Sequence, residues 1–112
     1  MKKIFLVIFC FFITSLAYAH PPLAIDITYD QATKQVTATI AHQVSNPHRH
    51  YIDKVTIQVN QEPPVLKRFS FQKTAREQIA VFAIPNVKSG DTILIEAYCN
   101  KGGRLGQQIK VQ

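Results

Sequence analysis

The sequence predicts an all-β protein, on three observations. Seven short stretches carry alternating or β-branched residues, turn-forming residues separate them roughly every 8 to 12 positions, and no segment has a helical period.

The first stretch, Ala24-Ile25-Asp26-Ile27-Thr28-Tyr29, runs into a turn over Asp30–Lys34. Val36-Thr37-Ala38-Thr39-Ile40 then alternates with period two, which sends Val36, Ala38 and Ile40 to one face. His42 keeps that inward parity just past the strand end, and Ser45-Asn46-Pro47 breaks the pattern. Tyr51–Val59 alternates again, with Val55, Ile57 and Val59 on one face and Thr56 and Gln58 on the other. Asn60–Pro64 carries two prolines, which cannot donate to a ladder, and reads as a turn. Val65–Phe71 and Gln78–Ile84 are the next strands, and Pro85–Asp91 is a loop. Thr92–Tyr98 and Gln107–Val111 close the chain, separated by Gly102, Gly103 and Gly106. Seven short strands at this spacing predict a seven-stranded immunoglobulin-like β-sandwich.

Ahead of the strands, Lys2 and Lys3 precede a nearly all-apolar run from Ile4 to Leu16. The run is shorter than the roughly 20 residues that span a bilayer. Ala17-Tyr18-Ala19 then supplies the small residues that a signal peptidase accepts. The expectation is a signal peptide over residues 1–19, cut after Ala19 or, through the equivalent Ser15-Leu16-Ala17 pattern, after Ala17. The product is expected to be periplasmic or secreted, with no membrane anchor. Residues 20–112 then form a single domain around one core.

Cleavage takes Lys2 and Lys3 and no acid, so the 13 basic and 7 acidic residues become 11 against 7, a net charge of +4. That charge suits a small anion. The basic residues are scattered singly and not interleaved with aromatics, which argues against a nucleic-acid surface. There is no Gly-rich phosphate loop, no His-Glu-x-x-His and no nucleophile elbow, and Ser45 and Ser70 lack evident base and acid partners. Cys10 leaves with the leader, so Cys99 becomes the lone cysteine of a compartment in which thiols are usually paired. It is a buried inert residue, a metal thiolate, or half of an intermolecular bridge.

Four residues carry most of the chemistry: His20, first after Ala19, with His42, His50 and Cys99. His42 and His50 flank one short loop. Ile93, Ile95 and Ala97 share a parity with Cys99, which places its thiol at the edge of the core. A thiolate there needs a cation to stay ionised, and a metal ion with neutral imidazoles supplies one. His48, on the loop Pro47-His48-Arg49, belongs to neither strand pattern and is expected to be exposed.

Asn46-Pro47-His48-Arg49-His50-Tyr51-Ile52, then Val55-x-Ile57, and later Glu96-Ala97-Tyr98-Cys99-Asn100 resemble the iron domain of desulfoferrodoxin and neelaredoxin, the superoxide reductases. That family carries a His-Pro pair, His-Tyr-Ile at the head of a strand, and Cys-Asn-x-His-Gly near the C-terminus. It also has an earlier histidine in a His-x-Pro context, matched here by His20-Pro21-Pro22, 22 residues before His42. The resemblance covers nearly all of residues 20–112. It implies an immunoglobulin-like sandwich holding one non-haem iron through His20, His42, His50 and Cys99. It further implies one-electron reduction of superoxide to hydrogen peroxide, with electrons from an unidentified donor.

Two departures stand out. Gly102 occupies the place of the family's fourth histidine, and the lysine that captures superoxide would fall at Tyr18-Ala19, inside the leader. Lys101, or Arg104, is then the candidate to supply positive charge, with Lys101 as the candidate catalytic residue. Three functions accommodate these residues: a superoxide reductase-like iron protein, a copper protein chelating through the imidazole and free amine of an N-terminal His20, or a metal-free sandwich that binds a protein or carrier in the manner of the SoxZ-like sandwiches. The oligomeric state is open, a homo-oligomer included.

Overall fold

The computed structural model describes residues 20–112. The signal peptide and its cleavage after Ala17 or Ala19, on which a free amine at His20 depends, concern residues outside that range.

Seven strands form two antiparallel sheets: β1 (Ala24–Asp30), β2 (Gln35–Ala41), β3 (Ile52–Val59), β4 (Val65–Arg68), β5 (Glu77–Ala83), β6 (Thr92–Cys99) and β7 (Arg104–Lys110). One sheet has the order β1-β2-β5 and the other β4-β3-β6-β7. The described residues contain no helix. The expected alternation is plain in β2, where Val36, Ala38 and Ile40 are buried, and in β6, where Ile93, Ile95, Ala97 and Cys99 are. Ile25, Ala80 and Phe82 from the first sheet join Ile52, Val55, Ile57 and the β6 residues from the second in one core. The architecture is therefore sandwich-like. Each fully buried Ile or Val contributes roughly 1.5–3 kcal/mol, so the inner faces of β2, β3 and β6 dominate stability.

Beyond one-residue differences at strand ends, three elements depart from the sequence expectation. β4 ends at Arg68 rather than Phe71, because Gln72 turns inward and the chain leaves the sheet to accommodate it. β7 starts at Arg104, ahead of Gly106, because Gly102 and Gly103 complete the turn with φ of 114° and 90°. In β3, Ile52 pairs with Cys99 and Lys54 with Tyr98, so Asp53 is an extra residue on one strand. This bulge lets Ile52 and Val55 both face inward, and it bends the end of β3 that follows His50.

Candidate metal centre

His20, His42 and His50 come from three separate segments and meet at one end of the fold. One ligand atom from each lies within 4.8 Å of the other two. Their ring centroids form a near-equilateral triangle, with separations of 5.1, 5.1 and 4.9 Å. Burial falls in steps, from His42 (0 % exposed) through half-buried His50 to exposed His20, so the cluster opens to solvent on the His20 side.

His42 is held by a residue that the sequence reading missed. Gln72, 1 % exposed, receives the His42 Nδ1 proton on its Oε1 at 2.9 Å and the Ile52 amide on the same oxygen at 3.1 Å. Its Nε2 donates to the carbonyls of His42 (2.7 Å) and Thr74 (3.0 Å). Because Oε1 can only accept, Nδ1 carries a proton, and in the neutral ring the lone pair is then on Nε2. That Nε2 is buried with no hydrogen-bond partner, and so is Nε2 of His50. Two buried, unpartnered ring nitrogens beside a third imidazole are costly unless something occupies the space between them.

His50 is set by Asn46 and Asn100. The Asn46 carbonyl accepts the amides of Arg49 and His50, both at 3.0 Å, and its side chain accepts the His48 amide at 2.9 Å. Asn100 accepts the Tyr51 amide (2.9 Å) and donates to the Arg49 carbonyl (3.0 Å), gripping the residues on both sides of His50. Burial, then the neighbouring His42, His20 and Lys101, lower the His50 pKa below the usual imidazole value, so the ring favours the neutral form that a metal requires. Lys101 is exposed and contributes positive charge beside this ring.

The His20 arm is fastened at three points. The Leu23 amide donates to the Ala41 carbonyl at 2.8 Å, Pro22 is buried, and Pro21 lies against Gly103. A Cβ on Gly103 would come within 3.1 Å of the Pro21 backbone, so the arm and the loop after Cys99 are in tight contact.

Cys99 sits at the same end, 6 % exposed and free, but it is not a member of the mutual 4.8 Å set. Burial pushes its thiol up. The Lys101 amide, 3.4 Å from Sγ, pulls the other way, and the Asp53 carboxylate pushes up again. Unaided, the sulfur holds its proton. His48 is exposed and stacks on exposed Phe71, with centroids 5.2 Å apart.

The three imidazoles fit a metal ion. Three evenly spaced nitrogens held by one ion at about 2.0–2.1 Å stand at most about 3.6 Å apart, so closing the triangle takes side-chain shifts of about 1 Å. Three nitrogen donors suit zinc, copper, iron or nickel. No model of a known protein family matches the chain, and neither a curated protein nor a solved structure matches it.

Proposed function

We propose that this protein binds one transition-metal ion through His20, His42 and His50, with Cys99, the last residue of β6, as a fourth ligand. The observation that carries the reading is the pair of buried, unpartnered Nε2 atoms on His42 and His50 beside His20. Gln72 supports it by fixing the His42 tautomer with the lone pair on the shared side, as an outer-shell partner of a ligating histidine does.

Iron is the metal that the resemblance to superoxide reductases favours, and copper is the alternative. When bound, ferrous iron would supply the electron that, together with two protons from solvent, converts superoxide to hydrogen peroxide. The chain's part is to hold neutral imidazoles, leave the His20 side open, and place Lys101 where its charge attracts an anion. The strand order β1-β2-β5 over β4-β3-β6-β7 supports an immunoglobulin-like topology with the fourth strand on the second sheet. A periplasmic or secreted location rests on the leader sequence.

The test is to express the full chain with its leader, purify it, and measure metal content together with the intact mass. One equivalent of metal is expected, falling to the background level in His42→Gln while the circular dichroism of the strands is retained. A folded wild-type chain that holds no more iron, copper or zinc than His42→Gln sinks the reading.

A further inference from the structure

Beside the histidines, a cleft of about 430 Å³ opens to solvent, lined among others by His20, His50, Val44, Ser45 and Arg76. The loop that carries Arg76 is not loose. Its backbone is strapped to the strand end that bears His42, with the His42 amide donating to the Arg76 carbonyl (2.9 Å) and the Val44 amide to the Ala75 carbonyl (2.8 Å). Thr74 closes the loop from the other side, its hydroxyl accepting the Arg76 and Glu77 amides at 3.1 Å. Gln72 ties it to the metal-side network through the Thr74 carbonyl. The loop, the cleft wall and His42 are therefore one hydrogen-bonded unit.

The Arg76 guanidinium itself has no ion pair or side-chain hydrogen bond among the described residues, where the one salt bridge joins Arg104 to Glu96. An unpaired guanidinium at the lip of a concave site is a fork for a planar anion. We propose that this cleft binds a small organic monocarboxylate, paired with Arg76 and lying against His20 and His50. The paired N–H groups of a guanidinium match the two oxygens of a carboxylate. The space also exceeds what a diatomic anion fills, since a water takes about 30 Å³. Val44 and Ala75 offer an apolar wall for a short alkyl group, and Ser45 offers a hydroxyl to the carboxylate.

This inference builds on the metal-binding reading, and the experiment separates the two. Propionate is titrated calorimetrically into wild type, Arg76→Gln and Arg76→Lys, each with its metal content measured beforehand, and azide is titrated in parallel. Propionate affinity should fall about tenfold in Arg76→Gln, recover in part in Arg76→Lys, and leave metal stoichiometry unchanged, with azide affected less. Equal propionate binding by wild type and Arg76→Gln overturns the proposal, as does the absence of propionate binding by metal-loaded wild type. A wild type that lacks metal yet binds propionate through Arg76 supports the cleft and counts against the metal reading alone.

Discussion

Gln72 Oε1 lies 2.9 Å from His42 Nδ1, and both side chains are sealed from water. This bond decides which imidazole nitrogen faces the other two histidines. Gln72→Ala frees the tautomer and strips partners from the His42 carbonyl and the Ile52 amide. A loss of about 10–100-fold in metal affinity is expected, as for other outer-shell partners. The buried groups left unpaired should cost about 1–3 kcal/mol. Chelator competition and urea unfolding of the metal-free protein measure the two separately. Unaltered metal affinity in the folded variant would remove Gln72 from the site.

Asn100 is solvent-exposed, so its role differs in kind. It bonds the backbone on either side of His50, and water can replace those bonds when it is removed. Asn100→Ala should therefore cost only about 0.5–1.5 kcal/mol while loosening the ring it positions. The expected signature is a metal affinity reduced several-fold, with faster metal release to a chelator, in a protein that unfolds nearly as wild type does.

These two residues show what the sequence could and could not disclose. His42 and Cys99 announce their burial through period-two parity, because each continues a strand whose inward positions are fixed by alternation. Gln72 and Arg76 follow no such period. They reach His42 because the chain returns from β4 to β5 across the strand end, a closure that depends on sheet order and not on local pattern. The bulge at Asp53 is equally silent in the sequence, since one extra residue leaves the apolar character of β3 intact. His20 is marked in the sequence by its place after Ala19, whereas its contact with the other imidazoles comes from the arm that Pro21 and Pro22 pin down.

At the opposite end, Asp91 accepts the Lys88 amide at 2.9 Å and faces Asn60. These hydrogen bonds, the Lys88 amide foremost, lower its pKa in the folded state. A carboxylate depressed on folding stabilises the native state above its unfolded pKa of about 3.9 and loses that contribution as pH falls through the lower folded value. Wild type should thus lose more stability than Asp91→Asn as pH falls from about 5 to 2. Urea midpoints across that range are the measurement, and parallel curves for the two proteins would contradict the assignment.

Gly103 and Gly90 share a φ of 90° but differ in their surroundings. A Cβ at Gly90 meets nothing within 4 Å, whereas one at Gly103 meets the Pro21 Cα and N at 3.1 Å. Alanine at either position carries the cost of a left-handed backbone, of order 1–3 kcal/mol, so Gly90→Ala serves as the control for conformation alone. Gly103→Ala must in addition push Pro21 away, and Pro21 is joined directly to His20. Both variants should unfold at lower urea, Gly103→Ala the more so. Only Gly103→Ala should also lose metal affinity, because only there does the added methyl group displace the arm that brings His20 to His42 and His50. Equal metal affinity in the two variants would contradict the assignment of the Pro21 arm as the element that presents His20 to the metal.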